Sequence, residues 1–154
     1  MTAHIIIRRA TAKDVPEVAK LVGELLSEIM HITGELAFNF NVADTATRLK
    51  DSINREKYIV FVAQSNNAEP VGFIVIYESY ALYAEGAFGT IPELYVHPDF
   101  RSQNVEQCLE EQAKSYGKLR GWKRLEGTTP PLPQFDKTIA FFCGRGLLLQ
   151  GDGS

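Results

Sequence analysis

Apolar and polar positions change their period several times along this chain, and each change marks an element. His4 to Arg9 holds the β-branched run Ile5-Ile6-Ile7, which suits a short pleated strand. Thr11 to Asp14 are helix-start residues, and Pro16 stands where a first-turn proline is accepted. Val15, Val18, Ala19, Val22, Leu25, Leu26 and Ile29 then recur at helical spacing, predicting a helix to about Met30. His31 to Asn41 contains Gly34 and reads as a loop. Asp44 or Thr45 can cap a second helix, with Ala46, Leu49 and Ile53 on its inner face. Tyr58 to Gln64 and Val71 to Glu78 read as strands, joined by the turn residues Ser65 to Pro70 into an antiparallel hairpin. Tyr80 to Phe88 reads as a loop and Thr90 to His97 as a strand stopped by Pro98. Asn104 to Arg120 is a helix with Val105, Cys108, Leu109, Ala113, Tyr116 and Leu119 on one stripe, and Gly121 ends it. Lys123 to Thr128 is a strand, Asp136 to Cys143 a last short helix, and Gly146 to Leu149 a final short strand.

This order is that of a mixed α/β sheet with helices on both faces. It is mostly antiparallel, with a parallel crossover between the strands at Thr90 and Lys123. The expected organisation is one domain over residues 1–150, followed by a loose tail at residues 151–154.

Composition narrows the chemistry. The 154 residues carry 45% hydrophobic and 23% charged side chains, the balance of an ordinary globular domain. A net charge of −3, from 16 Lys+Arg and 19 Asp+Glu, shows no basic excess for nucleic acid or anionic membranes. The apolar runs are too short to span a bilayer, and the N-terminal charges follow the apolar run, unlike a signal peptide. The two cysteines, Cys108 and Cys143, form no CxxC pair and are expected as buried thiols in a reduced, cytoplasmic compartment. His4, His31 and His97 are scattered, so no metal site is expected, and His97 before Pro98 reads as structural. P-loop and Rossmann glycine motifs are absent from the sequence.

One run carries a resemblance. Ile91-Pro-Glu-Leu-Tyr-Val-His-Pro-Asp-Phe-Arg101, followed by a helix and Arg120-Gly-Trp-Lys-Arg-Leu-Glu126, resembles the GNAT superfamily of acyl-CoA-dependent N-acetyltransferases. Val60 to Ala63 and Pro70 to Ile74 resemble its second and third strands. Ala140-Phe-Phe-Cys-Gly-Arg-Gly-Leu147 is similar to its A-x-F-Y-x-x-x-G-F ending. The resemblance implies a bulged strand over Thr90 to Val96 that splays from its parallel neighbour. Backbone at Leu94, Tyr95 and Val96 would then bind the pantetheine arm and thioester of acetyl-CoA. The loop Arg101-Ser102-Gln103-Asn104-Val105-Glu106 would bind its pyrophosphate through N–H groups and the helix dipole. The implied reaction is acetyl transfer to a primary amine of a small-molecule or polyamine-like acceptor by direct attack. Dimers are common in that superfamily, and a homodimer is the assembly it implies.

Strand alternation puts Glu93, Tyr95 and His97 on one face. Glu93 lies near the splay and is the expected base, accepting the amine proton through a water, although a solvated strand-edge charge has the same pattern. Glu78, Tyr80, Tyr83 and Glu85 precede the strand where the superfamily often places its acceptor loop; acidic and aromatic groups there suit a cation.

The pyrophosphate loop departs from the superfamily's R/Q-x-x-G-x-G/A pattern. Asn104 and Glu106 replace both small residues. Asparagine tolerates positive φ, but a carboxylate beside a pyrophosphate costs about 3–4 kcal/mol per unit-charge pair before screening. Asn104 and Gln107 also have the spacing of a capping box, an ordinary helix start needing no phosphate. Phe142 replaces the ending's tyrosine, which often protonates the leaving thiolate; Tyr95 and Tyr116 are substitutes by type, and water is another. The sequence therefore supports an acetyltransferase and, against it, a GNAT-fold binding or interaction protein with weak acetyl-CoA affinity.

Overall fold

The computed structural model describes residues 5–34, 41–66, 69–82 and 86–127. The expected last helix and final strand, with Phe142 and Cys143, lie outside them. Among the described residues, five strands form one sheet in the order β1-β2-β3-β4-β5: β1 (Ile6–Arg9), β2 (Ile59–Gln64), β3 (Pro70–Ala81), β4 (Gly86–Val96) and β5 (Leu125–Gly127). The first three pairings are antiparallel and β4–β5 is parallel, with Gly89, Thr90 and Ile91 opposite Leu125, Glu126 and Gly127. Helices α1 (Val15–Thr33) and α2 (Val42–Asn54) follow β1, and α3 (Val105–Arg120) makes the crossover from β4 to β5.

Period-two alternation along the central strands splits the core in two. Phe61, Ile74, Ile76, Ile91 and Val96 pack with Val105, Leu109 and Ala113 of α3, together with Trp122. Val60, Val62, Phe73, Val75 and Tyr95 face Val18, Val22, Leu25 and Ile29 of α1 and Leu49 of α2. Each helix covers one face, so the strands are apolar on both sides and read as near-continuous hydrophobic runs.

Several boundaries differ from the sequence expectation for physical reasons. α1 continues to Thr33 and stops where Gly34 takes φ 73, a left-handed cap that costs glycine nothing. α2 begins three residues early, capped by Asn41, whose side chain accepts the Asp44 N–H. Tyr80 to Phe88 is not simply a loop: β3 runs to Ala81 and β4 starts at Gly86, so the hairpin pairing extends past the apolar core. Ile6 is exposed on β1, which pairs with β2 alone among the described strands. The α3 stripe is also shifted. Val105, Leu109, Ala113 and Gly117 are buried, whereas Cys108 and Leu119 are exposed, correcting the expectation of a buried Cys108.

The feature that shapes the molecule's chemistry is a bulge. Val75 pairs with Glu93, but Tyr77 pairs with Thr90. Ile91 and Pro92 therefore stand together opposite Ile76. Proline brings no N–H to the ladder, so the ladder is interrupted where its loss is least costly.

Candidate active site

Beyond the bulge, the second half of β4 carries Glu93, Leu94, Tyr95 and Val96. Register places Glu93 opposite Val75 and Tyr95 opposite Phe73, both on the α1/α2 face. Leu94 and Val96 pack on the α3 side. Glu93 is half-buried, and burial raises its carboxyl above the ordinary glutamate range. Its charge is felt by Tyr58, whose phenol is raised first by burial and then by Glu93. The Tyr58 ring stacks on Tyr77 at 5.9 Å, so an aromatic pair stands beside the carboxyl.

Tyr95 closes the inner end of this face. Its hydroxyl donates to Oε1 of Glu24 at 3.2 Å. Burial and the neighbouring Glu24 carboxylate push its phenol up to about 12, so it holds its proton at neutral pH. Tyr116 stands on the other face, edge-on to Phe61 and Trp122 at 6.1 and 5.6 Å, under the Arg9 guanidinium at 5.5 Å. The two substitute tyrosines are thus on opposite sides of the sheet, and each is occupied in packing.

After β4 the chain makes a 3-10 turn, Pro98–Gln103, capped by His97, whose Nδ1 accepts the Asp99 N–H at 3.1 Å. His97 is structural in the sense the sequence suggested. Asn104 follows with φ 62 and ψ 22 and makes no side-chain cap hydrogen bond. The capping-box reading of Asn104 and Gln107 is therefore not realised: a residue in the left-handed region does not present its side chain to the first turn as an extended N-cap does. What remains is the main-chain geometry that a glycine would supply, at the head of a sixteen-residue helix whose first N–H groups have no intrahelical acceptor.

The charges around that helix start are specific. Arg101 donates from Nε to the Val96 carbonyl at 2.8 Å and from Nη2 to Oε1 of Glu28 at 3.0 Å. Its guanidinium lies 5.4 Å from the centre of the Tyr95 ring. Glu106, in the first turn of α3, is half-buried. Burial raises its carboxyl, and the Arg101 charge works in the opposite direction.

At the far end of the hairpin, Glu78 accepts from Trp122 Nε1 at 2.7 Å, from Arg120 Nη2 at 3.3 Å and from the Tyr80 hydroxyl. These bonds hold its carboxyl below the usual range, Tyr80 first. Glu78, Tyr80 and Tyr77 line a groove of about 650 Å³ that reaches Pro92 and Tyr58. Tyr80 is exposed there; Tyr83 and Glu85 lie outside the described residues.

Glu24, Glu28 and Trp122 contribute to the site's frame without having been singled out in the sequence. The two glutamates stand one helical turn apart on α1, a spacing that was visible. Their partners on β4 and its following loop were not, because those contacts span 71 and 73 residues.

The α/β architecture, the bulged strand and the helix entered through a left-handed residue define a class of protein, and comparison with known proteins gives the same class. The family described as "Acetyltransferase (GNAT) family" matches residues 26–142. This chain belongs to the GNAT acetyltransferase family. Among solved structures, it is similar to a point mutant of the BH1408 protein from Bacillus halodurans, with 24% identity and a TM-score of 0.72, covering 96% of this chain and 95% of that one. It is also similar to a ribosomal-protein-alanine N-acetyltransferase from Brucella melitensis biovar Abortus 2308, with 17% identity, a TM-score of 0.68 and coverage of 88% and 87%. A third similar structure is an aminoglycoside acetyltransferase from an uncultured soil metagenomic sample, with 18% identity, a TM-score of 0.68 and coverage of 91% and 86%. At these identities the structures establish the shared fold. No curated protein sequence matches the chain. No helix among the described residues is long and apolar enough to cross a membrane.

Proposed function

We propose that this protein transfers an acetyl group from acetyl-CoA to a primary amine on a small-molecule or polyamine-like acceptor, with Glu93 as the base. The observation that carries the reading is Glu93 itself. It is a half-buried carboxyl one residue past the bulge, raised by burial and flanked by an aromatic pair. A base of raised pKa accepts a proton more readily near neutral pH. The amine arrives as an ammonium, and Tyr58, Tyr77 and Tyr80 offer ring faces to a cation. Glu78, which lines the groove with Tyr58, Tyr77 and Tyr80, belongs to the acceptor side in this reading, and Tyr83 and Glu85 are assigned there from the sequence alone.

Glu93 takes the ammonium proton through a water. The amine nitrogen then attacks the thioester carbon, and its oxygen becomes an oxyanion. Main-chain groups of Leu94, Tyr95 and Val96 hold the pantetheine arm and thioester beside Glu93. Collapse of the adduct breaks the carbon–sulfur bond while the nitrogen gives its second proton to solvent, leaving the amide and a thiolate. The Tyr95 hydroxyl spends its proton on Glu24 and is packed in the core, so the thiolate takes its proton from solvent. The pyrophosphate is bound by N–H groups of Arg101 to Glu106, with Asn104 in the conformation that lets them converge.

Glu106 favours a second reading, a GNAT-fold ligand-binding or interaction protein with weak acetyl-CoA affinity, because its carboxylate stands in the first turn where the phosphates would sit. Calorimetric titration with acetyl-CoA, paired with acetylation of an amine panel, separates the two. Saturable binding and amide formation are expected. No heat and no thermal shift at millimolar acetyl-CoA would sink the enzyme reading. Glu106→Gln is expected to tighten binding by about tenfold or more if repulsion limits affinity; unchanged affinity counts against that argument.

A further inference from the structure

The guanidinium of Arg101 is seated on three sides. The Val96 carbonyl takes its Nε–H, Glu28 takes one terminal N–H, and the Tyr95 ring lies beneath it. Tyr95 is itself tied to α1 through Glu24, one turn before Glu28 on the same helix. Arg101 therefore joins three segments: the last residue of β4, the 3-10 turn in which it lies, and the middle of α1. Its Nε and one Nη2 hydrogen are bound to groups of this chain, which fixes the plane of the guanidinium and with it the path of residues 97–104.

We propose that Glu28 is a positioning residue for acetyl-CoA, acting through Arg101: the pair braces the 97–104 turn against α1, and Arg101 works as this brace and not as a phosphate ligand. The proposal rests on the reading that residues 101–106 bind the pyrophosphate. A brace requires both the planar fork of arginine and Glu28, whereas a phosphate ligand requires the Arg101 charge and does not need Glu28. Glu28→Gln and the salt dependence therefore tell the two roles apart, and Arg101→Lys separates charge from fork.

The test is acetyl-CoA affinity at several NaCl concentrations for wild type, Arg101→Lys, Arg101→Gln, Glu28→Gln and the Arg101→Gln/Glu28→Gln double variant. Melting curves identify folded variants, and amine acetylation gives KM and kcat. The expected result is about a tenfold loss of affinity in each single variant, with lysine no better than glutamine. The double variant is expected to be no worse than Arg101→Gln alone, because both changes remove one brace. Salt dependence should match wild type, and kcat at saturating acetyl-CoA should hold while KM rises. The proposal is overturned if Arg101→Lys binds like wild type while Arg101→Gln loses affinity and salt dependence together. It is also overturned if Glu28→Gln leaves affinity unchanged or improves it. If wild type itself fails to bind acetyl-CoA, the functional reading falls and takes this one with it; loss confined to the variant pattern removes only the brace.

Discussion

The two halves of β4 follow the same rules of strand geometry and end in opposite roles. From Gly86 to Thr90 the strand is paired with β3, and Gly89 to Ile91 are paired with β5. Gly89 there lies so close to Trp122 that a Cβ atom would stand 2.4 Å from the indole ring. The indole in turn donates to Glu78, whose charge is met by Arg120. Past the bulge, Glu93 is half-buried near Tyr58, with its carboxyl raised by burial. Glu78 and Glu93 are both strand carboxylates, yet one is pulled down by donors and the other pushed up by burial. A carboxylate saturated with donors stabilises a structure, and one short of them can take a proton.

Three measurements would break or sharpen that contrast. Gly89→Ala has the largest expected effect on stability, because the indole and Leu125 must both yield to the added methyl. Overpacking of this kind costs about 3 kcal/mol, or roughly 10 °C in the melting midpoint of a domain this size. A melt within a degree or two of wild type would mean that the first half of β4 is not packed as described.

Glu93→Gln probes the other half and should act on rate. Loss of a general base lowers kcat by about 100-fold, read in a steady-state acetylation assay. In the wild type, kcat/KM should rise with pH through a value above the ordinary glutamate range. The raised carboxyl also means that the folded state binds more protons than the unfolded one between the two pKa values, so stability falls as pH rises through that interval. Glu93→Gln should remove this loss and leave the melt at neutral pH equal to wild type or higher. A lower melt with unchanged kcat would make Glu93 a structural residue like Glu78.

The smallest effect is expected far from β4, at the entry to α1. Asp14 accepts two bonds from Arg8, at 2.9 and 2.7 Å, and the Thr11 N–H at 2.8 Å. The Arg8 bond holds its carboxyl at about 2, against an ordinary 3.8. Here the folded state binds fewer protons, so the stabilisation is present above the ordinary value and is lost as pH falls from about 4 to 2. Asp14→Asn should cost about 1 kcal/mol at pH 7. Denaturant midpoints measured at pH 7 and pH 2.5 should show the difference between variant and wild type shrinking in acid.

Much of the frame was legible from periodicity. The α1 stripe, the β2–β3 hairpin, the α3 crossover and the Gly121 cap rest on local spacing and turn chemistry, and they stand in the structure near their expected places. Alternation also put Glu93 and Tyr95 on one face. The errors fall where a local pattern has two outcomes. Asn104 and Gln107 have capping-box spacing, but Asn104 turns left-handed instead. Cys108 and Leu119 fit a helical stripe, yet the sheet covers only the narrower one through Leu109 and Ala113. Likewise, the residues from Tyr80 to Phe88 read as loop because their composition is that of a turn, while the pairing of β3 with β4 carries strand into them from both ends.

Among the described residues, the sequence by itself determined the order of elements, the two-faced sheet and the acidic residue in the first turn of α3. Those follow from side-chain period and from position relative to a helix start, which are local quantities. Only the tertiary structure decided which carboxylates are satisfied. Glu78 meets Trp122 across 44 residues and Glu28 meets Arg101 across 73, while Glu93 is left to burial. A charge's state depends on what surrounds it in space. In this fold those neighbours come from distant parts of the chain.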